Sequence, residues 1–412
     1  MKRYELYKAV QPLWNMTFPE HWEVLPLCSM AEEKSICNCT ELELLSVYLD
    51  AGVVPFSKRT EKRTNATSKD ISKYQRVDPG DFVLNNQQAW RGSVGVSKYT
   101  GITSPAYIVL SMNDQLTTEY ANYLFRSAIM VDQYLVRSKG VGSIQRNLYW
   151  QELKRASVLV PPRDEQNQIV RYLDWQVSQI NHLIHGYQKQ IKLLDERKTT
   201  VINEAVTHGV YADVEMQPVE ANWVKEIPAH WEFNKVKQHF EIKKRIAGKE
   251  GYDVISITQQ GLKVKDIASN EGQMAANYSK YQFVYPGDYA MNHMDLLTGF
   301  IGLSDIFGVT SPDYRVFSAI DVERTDLKYF LYVFQLGYKR KIFYGLGRGA
   351  ANKGRWRMPA INFKNYDIPV PPIEEQREIV EYIEQETEKI DLLKREVEKQ
   401  WGMNSGRIYY AA

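Results

Sequence analysis

The sequence predicts an α+β chain of two similar globular domains joined by two long helices that pack against each other. Three observations predict it. First, four phrases are written twice in the same order, offset by nearly 208 residues: "FPEHWEV" (18–24) and "IPAHWEF" (227–233), "SKYQRVDPGD" (72–81) and "SKYQFVYPGD" (279–288), "GITSPAY" (101–107) and "GVTSPDY" (308–314), "VPPRDEQNQIVRYL" (160–173) and "VPPIEEQREIVEYI" (370–383). A period of about 20–50 residues would signal a solenoid, whereas this one is domain-sized. Second, short β-branched and aromatic segments alternate with Gly, Pro and Asp. Third, each copy ends in apolar residues spaced by three and four.

Length and composition bound the function. A chain of 412 residues, 44% apolar and 25% charged, with a formal net charge of +2, is globular, and any basic surface on it is local. It has no run of about eighteen apolar residues, and the start "MKRYELYKAV" has no apolar h-region, so a cytoplasmic location is expected. The three cysteines, Cys28, Cys37 and Cys39, read as reduced thiols without zinc-finger spacing.

The elements follow in order. "DFVLN", "YIVL", "DYAMN" and "YRVF" read as strands, and "TTEYANYLFRSAIMVDQYLV" and "DLKYFLYVFQLGYKRKIFYG" as helices. After Pro161 and Pro162, the acidic Asp164 and Glu165 suit a helix N-terminus. Val170, Leu173, Val177, Ile180, Ile184, Tyr187, Ile191, Leu194, Val201 and Ala205 form a seam broken only by Lys198, and Gly209 ends the helix. At about 1.5 Å per residue it would be roughly 70 Å long. The second helix repeats the seam with Val380, Ile383, Ile390, Val397 and Trp401, weakened by Thr387 and Lys394, and is expected to stop near residue 402. The resulting boundaries are 1–160 and 210–370 for the globular domains, 161–209 and 371–402 for the helices, and 403–412 for an irregular tail.

Residues kept in both copies serve the shared scaffold, and residues that differ carry what the copies do differently. Asp81 and Asp288 of "PGD" therefore read as turn residues, and His21 and His230 beside Trp22 and Trp231 as packed ones. The divergent windows lie after "PGD" ("NNQQAWRGSVG" and "NHMDLLTGFIG"), before "VPP" ("RSKGVGSIQRNLYW" and "GLGRGAANKGRWRM") and upstream ("FSKRTEKRTNATSK" and "FEIKKRIAGKEGYD"). They mix Arg, Lys, Asn and Gln with Gly and aromatics, the residue types that meet base edges and phosphates. Solvated loops have the same composition, but here it recurs at equivalent places. "GLGRGAANKG" lacks a P-loop ending, "GVGSIQ" lacks a third glycine, and no Asn-Pro-Pro-aromatic stretch is present, so the chain reads as a binder without catalytic machinery or a bound cofactor.

The two "P-x-H-W-E" starts at Pro19 and Pro228, the two "P-P-x-[DE]-E-Q-x-x-I-V-x-Y" starts at Pro161 and Pro371 and the "EAVTHG" helix end at Glu204 together resemble the specificity subunit of type I restriction-modification systems. The resemblance covers the chain to about Gln400. It implies two target recognition domains, each reading half of a bipartite, asymmetric duplex DNA site, and helices that pair as an antiparallel coiled coil and act as a ruler. It also implies docking of two modification subunits carrying S-adenosylmethionine and of restriction subunits using ATP and Mg. On that basis the DNA-binding candidates are Gln87, Gln88, Arg91, Gln145 and Arg146 in the first domain, and Asn292, His293, Asn352, Lys353, Arg355 and Arg357 in the second. The alternative is an autonomous DNA-binding protein of the same architecture without an active partner. A methyltransferase would bind cofactor as the isolated chain, and a coiled-coil protein scaffold would show no salt-sensitive, sequence-selective duplex binding.

Overall fold

The computed structural model describes residues 4, 6–9, 17–58, 70–141, 145–265, 278–349 and 356–411, and at 9, 141, 145 and 403–411 the backbone alone. The chain forms two compact units, residues 1–185 with 403–412 (unit 1) and residues 186–402 (unit 2). Each holds a four-stranded antiparallel sheet with the same strand order. In unit 1 the order is Ala31–Glu33, Tyr107–Met112, Phe82–Asn85, Val94–Val96. In unit 2 it is Phe240–Lys243, Arg315–Ala319, Tyr289–Met291, Ile301–Leu303. The four segments read as strands all lie in these sheets.

Both faces of the central strands are buried: in unit 1 Phe82 and Leu84 join one apolar core and Val83 another. Phe82 stacks on Phe125 at 4.1 Å in unit 1, and Tyr289 stacks on Phe317 at 5.0 Å in unit 2. Burying each such ring contributes on the order of 1.5–3 kcal/mol. The stretch after "SM" expected as one helix is two, Thr118–Arg126 and Ala128–Arg137, parted by Ser127, whose backbone is extended (φ −68°, ψ 155°) and whose hydroxyl donates to Leu124 O at 2.6 Å. Unit 2 has Leu327–Lys339 and then Ile342–Gly345, parted at Lys341, which has a left-handed φ of 57°.

The duplicated "PGD" is a turn. Gly80 and Gly287 have φ of 93° and 89°, a region glycine enters without strain. Asp81 Oδ2 accepts the Asp78 N–H at 2.7 Å and Lys34 Nζ at 2.5 Å, while Asp288 Oδ2 accepts the Tyr285 N–H at 2.8 Å and Arg245 Nη1 at 2.7 Å. Each aspartate closes its own turn and neutralises a cation brought by a different residue.

The two most repetitive motifs meet at the base of each unit. Glu23–Pro26 pairs with Ser157–Val160, and Glu232–Lys235 with Asp367–Val370, which brings "HWE" beside "VPP". His21 Nε2 lies 2.5 Å from Glu165 Oε1, and Trp22 Nε1 donates to Glu165 Oε2 at 2.9 Å; His230 Nε2 lies 2.8 Å from Glu375 Oε2. Both histidines are packed against their glutamate. The next residue is a buried clamp. Gln166 accepts the Thr117 N–H at 2.8 Å and donates to Gln115 O and Pro161 O at 2.9 and 3.0 Å. Gln376 accepts the Asp326 N–H at 2.8 Å and donates to Pro371 O at 2.8 Å and Arg324 O at 3.3 Å.

The first long helix is Arg163–His208, ended by Gly209 with φ 78°. The second is Ile373–Ala411, which corrects the expected stop near residue 402 and the irregular tail 403–412: the backbone stays helical to Ala411. That stretch has no proline, and Gly inside a helix costs only about 1 kcal/mol against Ala, too little to end one. Within unit 2 the helices run antiparallel, since Lys198 Nζ meets Asp391 Oδ2 at 2.7 Å while Lys394 Nζ meets Asp195 Oδ1 at 2.8 Å. Lys198 and Lys394, which interrupt the apolar seams, are thus the residues that set the register between them. Ile202, Ala205 and Val206 join Ile379, Val380 and Ile383 in one core with Trp231 and Tyr329.

Gln376→Ala strips a partner from three backbone groups, the bond to Pro371 O being buried, at about 1–3 kcal/mol for a buried group left unpaired, and should lower the denaturation midpoint of unit 2 more than Gln385→Ala does on the exposed face. Lys198→Asp should destabilise by about 0.5–1 kcal/mol, and adding Asp391→Lys should recover most of the loss in urea titrations. Burial alone would raise the Glu165 pKa, but hydrogen bonds from Tyr4, Trp22 and His21 outweigh it and hold the carboxyl below the usual range. A carboxyl lowered on folding stabilises fully above its unfolded pKa, ~4.3 for Glu, and loses that contribution as pH falls through the folded value. The stability difference between the native chain and Glu165→Gln should therefore narrow as pH drops below about 4.3.

Candidate nucleic-acid interface

The window after "PGD" in unit 1 is a loop held by its own backbone. Asn85 Oδ1 accepts the Gln87 N–H at 3.1 Å, and a short 3-10 turn, Ala89–Arg91, ends at Gly92 with φ 96°. Buried Ala89 anchors the turn, which leaves Gln87 and Arg91 exposed and Gln88 half-buried. The Arg91 guanidinium sits 4.6 Å over the Trp90 ring, whose Nε1 donates to Gln87 O at 3.0 Å. Trp90 is thus a platform that positions Arg91, a role the adjacent Trp-Arg pair signals in the sequence but that was not assigned to it.

The window before "VPP" forms a hairpin, Lys139–Val141 against Gln145–Asn147. Arg146 is half-buried, with Nη1 3.5 Å from Leu135 O; at Gln145 only the strand backbone is described. The Leu148 N–H donates to Asn86 O at 2.9 Å, so the hairpin lies beside the post-"PGD" loop. Two windows about sixty residues apart in sequence therefore share one surface.

Unit 2 repeats the bond at equivalent residues: the Met358 N–H donates to His293 O at 2.9 Å. Arg348 and Arg357 exchange backbone hydrogen bonds at 2.8 and 3.1 Å as an antiparallel bridge, with the Arg357 side chain exposed. Asn352, Lys353 and Arg355 lie outside the described residues. Asn292 is half-buried, and its Oδ1 accepts the Met294 N–H at 3.2 Å, the same turn that Asn85 makes. His293 faces inward: burial first, then Arg315 and Arg357, lower its pKa to about 4, and its Nδ1 is buried with no hydrogen-bond partner among the described residues. Asn86, its counterpart, has a buried Oδ1 in the same condition.

Arg315 supports this surface from below and was not anticipated. It is buried, donates from Nη2 to Met358 O at 2.8 Å and lies 5.0 Å over Phe363; burial lowers its pKa to about 10. The signal was an arginine in the strand "YRVF" where the first copy has Ile108. Among the described residues no group of three His, Cys, Asp or Glu could hold a metal ion, and no helix is long and apolar enough to cross a membrane.

The arrangement presents, in each unit, an exposed arginine and amide-bearing loops over a rigid sheet, suited to hydrogen-bonding base edges and phosphates. Comparison with known proteins bears on this geometry. The family model of the type I restriction modification DNA specificity domain matches residues 19–193 and 228–400. The type I restriction enzyme MjaVIII specificity subunit of Methanocaldococcus jannaschii is 23% identical, over 93% of this chain and 90% of that protein. A chain in a solved structure concerning complex assembly and conformational transition of the type I R-M system superposes with a TM-score of 0.61 at 15% identity, covering 95% of this chain and 96% of that one, which shows a shared fold.

A histidine lowered to about 4 stays neutral in the folded chain where the unfolded chain, near 6.5, takes up a proton, so folding stability falls as pH drops from about 6.5 towards 4. His293→Asn, which installs the first copy's residue, should flatten that part of the stability–pH curve measured by chemical denaturation.

Proposed function

The chain belongs to the family of type I restriction modification DNA specificity domains and is a DNA-recognition subunit of such a system; from this premise we propose that its two units each read one half of a bipartite, asymmetric duplex site. The carrying observation is the duplicated bond, Leu148 to Asn86 and Met358 to His293, that seats the two most divergent windows side by side in each copy. A shared scaffold with unlike loops is the arrangement expected of two readers of unlike half-sites. Arg91, Gln87 and Gln88 in unit 1, with Gln145 and Arg146, and Arg357 with Asn352, Lys353 and Arg355 in unit 2, would hydrogen-bond base edges in the major groove or neighbouring phosphates. Asn292 and His293 would act from behind, shaping the loop.

Members of this family work as non-catalytic recognition components, and the subunit assembles with DNA and with modification and restriction subunits. In our reading two modification subunits dock on the paired helices and bring S-adenosylmethionine to an adenine in each half-site. The restriction subunits bring ATP and Mg. The helix pair acts as the ruler between half-sites, and the complex works in the cytoplasm.

Arg91→Ala and Arg357→Ala each test one reader. Each substitution should cost about 1–3 kcal/mol of specific binding and relax base preference in one half-site only, measured by binding-site selection on the assembled complex at fixed salt. Relaxation in both halves, or in neither, would sink the assignment. Methylome sequencing of a host with and without the gene would identify the target; no methylation difference would count against the reading.

A further inference from the structure

One basic run of unit 2 has no basic counterpart in unit 1. At the offset of 209 that relates Tyr120 to Tyr329, "YKRK" (338–341) stands where the first copy has "IMVD" (129–132). Arg340 is structural, its Nη1 donating to Asn203 Oδ1 at 2.6 Å and to Trp223 O at 3.3 Å. Lys339 and Lys341 keep exposed surface, and neither ammonium has a hydrogen-bond or ion-pair partner among the described residues. Two residues apart on a continuous helix, they would point to nearly opposite sides. The helix Leu327–Lys339 stops short of Lys341, whose left-handed φ of 57° turns the chain, and both lysines come to line one cleft. A lysine enters that region only at an energetic cost, and such residues gather at functional sites.

The cleft has a volume of about 600 Å³ and lies wholly within unit 2. Lys198 of the first long helix and Phe300 of the post-"PGD" window line it with the two lysines, and among the described residues no carboxylate does. The two carboxylates whose charge reaches Lys339 are already engaged, Asp391 by Lys198 and Asp195 by Lys394. Burial first and Lys198 next lower the Lys339 pKa, as expected where negative charge is short. Unit 1 closes the equivalent place with its own cation. Arg126, the counterpart of Gln335 in the cleft wall, donates from Nη2 to Asp50 O at 2.8 Å and Leu49 O at 3.2 Å, at the tip of the hairpin Leu45–Tyr48 and Gly52–Pro55.

We infer that this cleft seats the sugar-phosphate backbone of the duplex beside the unit 2 half-site, with Lys339 and Lys341 gripping phosphate; the inference rests on unit 2 being a DNA reader. A duplex is favoured over an acidic protein segment because the reading loop itself forms part of the wall. Tyr338, next to Lys339, donates from Oη to Asn292 O at 2.7 Å, so the gripped phosphate and the start of the reading loop are fixed through adjacent residues. Such contacts set register and carry no sequence information.

The test uses the complex assembled with modification subunits, the duplex obtained by binding-site selection and a scrambled duplex, titrated from about 50 to 200 mM salt. Lys339→Gln and Lys341→Gln should each weaken both duplexes by the same factor and reduce the slope of log affinity against log salt by about 0.9. Lys237→Gln, at the base of the unit, should leave the slope unchanged. Lys341→Gly should weaken binding as Lys341→Gln does while the unfolding midpoint holds or rises, because glycine adopts a left-handed φ without strain; this separates lost contact from lost folding. Selective binding by the native complex with an unchanged slope in both glutamine variants would overturn the inference and leave the reading of unit 2 intact. A loss confined to the selected duplex, an equal loss in Lys237→Gln, or weaker capture of the modification subunits with unchanged DNA binding would overturn it too, the last making the cleft a protein-docking surface. No selective binding by the native complex would sink the reading of unit 2 and the inference with it.

Discussion

Everything in either unit hangs on a buried glutamine. Gln166 and Gln376 each tie three strands of chain together at the point where a long helix begins: the helix itself, the proline that precedes it and the turn that starts the neighbouring helix. A side-chain amide has an acceptor oxygen and two N–H donors, and here both ends are engaged with backbone groups, the bonds to Pro161 O and Pro371 O being buried. The direction in which the long helix leaves the globular part is therefore set by hydrogen bonds whose loss leaves buried polar atoms unpaired, a far stiffer constraint than apolar packing alone.

Around that joint the copies solve one problem with different residues. Both "PGD" turns need a cation against the aspartate, supplied by Lys34 in one and Arg245 in the other. Among the described residues the apolar cores differ likewise, with a stacked phenylalanine pair in unit 1 and a network of Phe240, Tyr289, Phe317 and Phe334 in unit 2.

The duplication made the scaffold legible. The turn aspartates and the start of each long helix lay in phrases written twice, and strands such as "YIVL" follow directly on one, where their β-branched composition placed them correctly. What escaped was tertiary. Ser127 parts two helices because its hydroxyl bonds back to Leu124 O, a choice that apolar spacing cannot report. Lys198 and Lys394 look like flaws in a heptad until the opposite helix shows Asp391 and Asp195 across from them. At the interface, composition found the windows but not the orientation of side chains within them: Asn292 spends its oxygen on its own turn, and His293 points inward, because backbone closure takes precedence over exposure in so tight a loop. Arg315 hid in a strand that reads as apolar.

The paired strands at the base of each unit have one further consequence. Leu25 faces Val158, and Asn234 faces Ile368, so the chain enters and leaves each reader through neighbouring points of a two-stranded ribbon. Whatever lies between those points is a cassette closed at its hinge. Its loops can be lengthened, shortened or exchanged wholesale while the two ends stay a strand's width apart and the helix beyond them keeps its heading, so a new reader can be installed without redesigning the joint that carries it.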